Sequence, residues 1–194
     1  MSGPYRTILF LGAPGSGKGT QSRALAQLPG FYRFGTGEVL RKLDPESELG
    51  SQVQPFLGRG DLVPNALVMK VWHSHLRGAE QAGEFSPSRD IVLLDAFPRD
   101  ESQAKLLDPQ VDMQLVIYLR AADEEALKER VRQRNLRPDD QSEQVIEHRF
   151  QVFHQQTLPL TEIYEPSPVV AIEAVRPPLM VLAEIAKTIG DISH

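Results

Sequence analysis

One lysine in a glycine-rich run and a group of arginines far from it in the chain are the residues best suited to chemistry. The run is GAPGSGKGTQ, residues 12–21. Gly12, Gly17 and Lys18 meet the G-x-x-x-x-G-K-[ST] pattern, in which backbone N–H groups cradle phosphates and the lysine reaches the terminal ones. The next position, where a serine or threonine would hold magnesium, is Gly19, and Thr20 stands one place later. Any metal used with these phosphates has to be held by another route.

The arginines are notable for where they fall. On an amphipathic helix, at about 100° per residue, a charged side chain belongs opposite the apolar stripe. In the helix predicted over 123–134, Leu127 and Val131 define the stripe, and Glu125, Lys128, Glu129 and Arg132 fall on the far side. Arg130 and Arg134 lie close to the stripe, one turn apart, so both guanidinium groups emerge at the same edge of the core. In the next helix Val145, Ile146, Phe153, Leu160 and Ile163 mark the stripe, and Arg149 falls within it. A guanidinium held against a core costs several kcal/mol unless an anion pairs with it. That anion is an acidic side chain or a ligand, and three such arginines in a chain with a phosphate loop favour a shared anionic ligand.

The elements that must position these groups are legible as apolar runs. ILFLG ahead of the loop, and a helical pattern through Ala24, Leu25 and Leu28 as far as Pro29-Gly30, supply the strand, loop and helix that a phosphate loop requires. FYRF (31–34), IVLLDAF (91–97), QLVIYL (114–119) and PVVAI near residue 170 are further strand candidates. Unalternated runs between helical stretches predict buried parallel strands in an α/β sheet. Helical patterns cover roughly 47–57, 65–76, 123–134, 141–164 and 178–189, with Pro159 predicting a break in the longest. Segments 37–70 and 134–141 are less core-like and are the candidates for parts that move.

Composition bounds the answer. The 194 residues, 41% apolar, suffice for one good core, so residues 1–194 are expected to form a single domain. With no cysteine, disulfides and thiolate metal sites are excluded, zinc is not expected, and a reducing cytoplasm is consistent. TILFLGAP is too short and too broken for a signal core or a span, so no membrane partner is expected. A net charge of -5 argues against a nucleic-acid partner and for a local site for a single nucleotide. His73 and His75, two apart on a helix, face different ways and are read as solvated.

With the loop, DAFPR at 95–99 and the arginine set in view, the chain resembles the adenylate kinases of the nucleoside monophosphate kinase family along nearly its whole length. The resemblance implies a three-layer P-loop NTPase fold. A five-stranded parallel sheet is flanked by helices, with a mobile monophosphate-binding segment at about 36–65 and a short lid at about 134–141. Glycine normally follows the lysine in that family, so the loop is intact for its class. FGTGEVLR (34–41) resembles the start of the monophosphate-binding region and carries over Thr36 and Arg41. DLVPNALV (61–68) resembles the LVP signature near the AMP adenine and carries over Asp61, Leu62 and Val63. DAFPRDESQ (95–103) resembles D-G-[FY]-P-R-x-x-x-Q and carries over Asp95, Ala96, Phe97, Pro98, Arg99 and Gln103. Arg130, Arg134, Arg137 with Asp139 and Asp140, and Arg149 match the arginines near the lid. Ala96 stands where the family usually has glycine, and a positive φ there would make its Cβ costly. Gly35 replaces the usual serine, and Leu136 a glycine.

The implied reaction is reversible transfer of the terminal phosphoryl group from ATP to AMP, giving two ADP. Gly15, Ser16, Gly17, Lys18, Gly19 and Thr20 would hold the donor phosphates, with Arg130 and Arg134 on the ATP side. Thr36, Arg41, Asp61, Leu62, Val63, residues 96–99, Gln103, Arg137 and Arg149 would line the AMP side. Lys18, Arg99, Arg134, Arg137 and Arg149 would be catalytic. Asp95 would orient magnesium, brought with ATP, through water, unless it serves only as a cap or loop ligand. Seven formal positives face roughly six negatives on the two nucleotides, and the acceptor oxygen is already ionised, so no general base is needed. Asp139-Asp140 serve the lid or, with Glu143 completing a capping box, start the following helix. Arg176 before Pro177-Pro178 is read as loop, with an ATP-base contact as the alternative. The expected state is a cytoplasmic monomer with ATP, AMP and ADP as its partners. The rivals are a UMP/CMP kinase, a GTPase-like switch and a non-catalytic nucleotide-binding regulator. Pyrimidine enzymes usually carry alanine at Thr36 and asparagine at Gln103, and no N-K-x-D guanine motif is present.

Overall fold

The computed structural model describes residues 4–59, 63–134, 142–164 and 166–192. Five parallel strands form one sheet: β1 (Tyr5–Gly12), β2 (Phe31–Gly35), β3 (Ile91–Asp95), β4 (Val111–Arg120) and β5 (Val169–Glu173), in the order β2-β3-β1-β4-β5. All five strand candidates are present, and the apolar runs lack alternation because both faces are covered. On one face Leu9, Leu11, Val92, Leu94 and Val116 pack with Trp72 and Leu76 of α4 (Asn65–Gln81). On the other, Ile8, Phe10, Leu93, Leu115 and Ile117 pack with Leu25 of α1 (Lys18–Leu25) and with Val181 and Ile185 of α9 (Pro178–Ile192). A third cluster joins Ala13 in the phosphate loop to Leu127 and Val131 of α6 (Glu124–Arg134) and Ile146 and Phe150 of α7 (Glu143–Val152).

Several local expectations are corrected. α1 stops at Leu25, and Leu28 is exposed, because the chain turns away at Pro29-Gly30. Two short helices without a long apolar stripe, α2 (Thr36–Lys42) and α5 (Glu101–Leu107), have no counterpart in the sequence pattern. α3 (Glu48–Arg59) runs slightly past the end of its pattern, and α4 runs more than a full turn past its own. α7 begins at Glu143 after an N-cap at Ser142, so Glu143 is its first residue and cannot complete a capping box from Asp139 or Asp140; its carboxylate pairs with Arg132 instead. The break before Pro159 takes the form of a π-helical segment, Phe153–Thr157, in which the Leu158 N–H reaches the Phe153 carbonyl. Proline can neither donate a helical N–H nor tolerate the carbonyl four residues back, so the turn widens ahead of it. Ile163, in α8 (Leu160–Ile163), is exposed, not part of the stripe. His75 is not solvated: its Nε2 shares a 2.9 Å hydrogen bond with the Tyr32 hydroxyl, its ring lies against Phe34, and burial pushes its pKa down.

Candidate active site

The chain leaves β1 at the centre of the sheet, runs through β2 and β3 on one side, and crosses back to β4 and β5 on the other. Ligands of open α/β sheets bind at the carboxyl ends of the strands where the order reverses. The register brings the candidate loops to that edge: Phe10 pairs with Asp95, Gly12 with Leu119, and Gly35 with Asp95.

The phosphate loop is held by α6. Gly15 has φ +82°, and a Cβ there would collide with the Leu127 carbonyl oxygen and lie 3.2 Å from Val131. Gly17 caps α1 in the left-handed conformation, and the first N–H groups of that helix, with its positive dipole end, open toward the strand edge. The Lys18 ammonium curls back over the loop, donating to the carbonyls of Gly12 (2.5 Å) and Ala13 (2.9 Å). Ser16 is buried, whereas Thr20 follows in the first turn as an exposed residue. Glycine after the lysine has a local reason: a Cβ on Gly19 would lie 3.1 Å from Asp95 Oδ2, in the gap between the helix and β3.

The second loop follows β3. Ala96 has φ +61°, so the strain anticipated for a Cβ at this position is present. Phe97 is fully buried, Pro98 follows a cis peptide, and Arg99 is half-buried with its Nε donating to the Ala96 carbonyl at 3.1 Å. Asp100 caps α5 by accepting from the Gln103 N–H. The buried Gln103 amide is already engaged. Its oxygen accepts from the Arg99 N–H at 2.9 Å and its nitrogen donates to Asn65 Oδ1 at 2.9 Å, leaving one lone pair and one N–H for a ligand. Thr36 is buried, with its hydroxyl 3.4 Å from the Asp95 carbonyl, and Val63 is buried beside α4. Arg41 is exposed on the last turn of α2, its guanidinium against Gly37. Asp61 and Leu62 lie outside the described residues.

On the opposite wall Arg130 donates to the Ala174 carbonyl at the end of β5, at 2.9 Å, and Arg149 is half-buried on α7. The Arg134 side chain, Arg137, Asp139 and Asp140 lie outside the described residues. The charges expected on the solvent face of α6 tie it to α7. Arg132 binds Glu125, Glu129 and Glu143, and Lys128 binds Glu147 while lying over the Phe150 ring. The Glu143 hydrogen bonds push the Arg132 pKa up and hold the Glu143 carboxyl below its ordinary value. Arg176, at the turn before α9, pairs with Glu184 on that helix.

Sequence reading missed Arg33, which FYRF hid as a plain strand residue. Its guanidinium is nearly buried at the carboxyl edge of the sheet, donating to Asp95 Oδ2 (2.6 Å), Ser22 Oγ (2.8 Å) and Glu38 Oε2 (2.9 Å). The available signal was an arginine inside an apolar strand next to an unusual glycine, Gly35. Among the described residues no three acidic, histidine or cysteine side chains cluster as a metal cage. A single carboxylate, Asp95, at the phosphate-loop edge suits a magnesium ion that keeps several waters and is carried on nucleotide phosphates.

A family model described as "Adenylate kinase" matches residues 10–169. The chain is 37% identical over 164 residues to "Adenylate kinase" from Synechococcus sp. (strain WH7803), covering 81% of this chain and 84% of that protein. It is 35% identical over 168 residues to "Adenylate kinase" from Thermus thermophilus, covering 82% and 83%. A protein of the same name from Mycolicibacterium vanbaalenii is 36% identical over 163 residues, covering 81% and 84%.

Proposed function

The chain belongs to the adenylate kinase family, and from that premise we propose how its cleft carries the family's reaction, reversible transfer of the terminal phosphoryl group from ATP to AMP to give two ADP. The observation that supports this reading most is the pairing of β1 with β3, which sets a phosphate loop and the Arg99 loop at the same edge, with Phe10 opposite Asp95. One strand presents a donor-phosphate cradle, and its neighbour presents an acceptor site.

The N–H groups at the start of α1 and the loop from Gly15 to Thr20 receive the donor phosphates. Lys18 exchanges the Gly12 and Ala13 carbonyls for phosphate oxygens, which are stronger acceptors for an ammonium. Arg99 and Arg41 hold the AMP phosphate, Thr36, Val63 and Gln103 line its adenosine side, and Arg130 serves the ATP side. Arg134, Arg137 and Arg149 close over the transferring group. Asp95 would be the protein carboxylate that orients magnesium through water, and the ion carried on ATP would supply charge neutralisation of the phosphates. The acceptor oxygen carries no proton to remove, so the residues work by alignment and by spreading the developing charge. Water at the donor phosphate would waste ATP. The segments at about 37–70 and 134–141 therefore close over bound nucleotides, and slower amide exchange across α2 and α3 with both nucleotides present is the expected sign.

We place the protein in the cytoplasm as a monomer. The absence of cysteine supports the first, and no helix among the described residues is long and apolar enough to cross a membrane. The test is ADP formation from magnesium and ATP with AMP, UMP, CMP, GMP or dAMP offered in turn. Strong preference for AMP, with the reverse reaction from two ADP, is expected. Preference for UMP or CMP would overturn the roles of Thr36 and Gln103, and no transfer to any acceptor would overturn the reading as a whole.

A further inference from the structure

We propose that Arg33 is a positioning residue that competes with the nucleotide-borne divalent cation for the Asp95 carboxylate, and that Gly35 is the residue that makes room for it. The inference rests on the phosphoryl-transfer reading above. The Arg33 and Asp95 side chains are only 13% and 11% exposed, and their 2.6 Å ion pair joins β2 to the end of β3 across a site edge where a cation is needed. A guanidinium on that carboxylate repels a second cation and withholds one of its oxygens.

The seat of this arginine is built for it. A Cβ at position 35 would lie 2.6 Å from Arg33 Cζ, 2.7 Å from Nη1 and closer still to Nη2, so no side chain can stand there while the guanidinium does. The remaining nitrogens are met by Ser22 on α1 and Glu38 on α2, which links the donor helix, the acceptor helix and the metal-side carboxylate through one residue. Lys42 and Arg33 together hold the Glu38 carboxyl at about 2, so its charge is in place to draw the guanidinium off Asp95. A cleft of about 300 Å³ lined by Tyr32, Arg33, Glu38, Val39 and His75 borders the group on the other side, giving it space to move when the carboxylate turns to a hydrated cation.

The experiment measures Mn²⁺ binding by loss of the free-ion paramagnetic resonance signal, with a non-hydrolysable ATP analogue present. The magnesium dependence of ADP formation and a thermal melt are followed in parallel. Arg33→Gln is expected to bind Mn²⁺ roughly three- to tenfold tighter and to lower the magnesium midpoint by a similar factor, the size for one like charge removed from a part-solvated site. Arg33→Lys keeps the charge and should stay near the parent protein. Gly35→Ser, which displaces the guanidinium by contact alone, should shift both readouts as Arg33→Gln does, and should add nothing in the double variant. If Arg33→Gln does not fold, Gly35→Ser and Arg33→Lys still decide the matter. Unchanged or weaker Mn²⁺ binding in either displaced variant, or additive shifts in the double, would overturn the proposal. A protein that shows the Mn²⁺ pattern yet transfers no phosphate would overturn the functional reading and leave this one standing.

Discussion

Replacing Gly15 by alanine separates two effects that usually arrive together, backbone conformation and contact. At φ +82° an L-residue costs about 1–2 kcal/mol, and a methyl group in collision with the Leu127 carbonyl must push α6 away, which adds about 1–3 kcal/mol. Gly17→Ala is the control. Its φ of +92° is equally left-handed, but nothing lies within 4 Å of its Cβ, so it carries only the conformational part. Urea unfolding should therefore place Gly15→Ala about 2–5 kcal/mol below the parent and Gly17→Ala about 1–2 kcal/mol below. For a chain of this size the larger loss corresponds to roughly 4–20 °C in Tm. Because α6 carries Arg130 and meets the loop at this point, Gly15→Ala should also raise the KM for ATP, measured by coupled ADP formation. Equal destabilisation by the two substitutions would refute the reasoning, since it would mean that α6 does not rest on the loop.

Lys18→Met and Arg149→Met should each lower turnover on the order of 10³ with little change in Tm, and a near-normal rate for either in the ADP assay would remove that residue from the transfer step. Ala96→Gly relieves a Cβ at φ +61° and should stabilise the fold by about 1 kcal/mol in urea, while a loss of stability would contradict the left-handed backbone there. Glu38, held down to about 2 first by Lys42 and then by Arg33, contributes stability that is full above its ordinary value of 4.5 and fades as pH falls toward 2. Glu38→Gln should flatten the acid limb of a Tm-versus-pH curve between those values, and an unchanged limb would show that the pairing with Lys42 and Arg33 does not hold in solution.

Patterns that a short stretch of chain can carry are legible in the sequence itself. The phosphate loop, the parallel strands and the break before Pro159 depend on residues within a few positions of one another. Burial of both sheet faces writes itself into unbroken apolar runs such as IVLL and LVIYL. The stripe formed by Leu127 and Val131 was legible for the same reason, since helical period alone sets which residues face inward. α2 and α5 were missed because each is seven residues long, too short to show a period.

What the tertiary structure decided lies in contacts between distant positions. Arg33 and Asp95 are 62 residues apart, and only the parallel pairing of β2 with β3 makes them neighbours. Gln103 meets Asn65 across 38 residues, and the collision that reserves position 35 for glycine exists only once Arg33 has folded over it. The charges on α6 read as solvated because helical period says which face is outward but not that α7 lies across it. A one-dimensional pattern records local geometry and average burial, whereas an ion pair at a sheet edge is a property of register, which long-range packing alone sets.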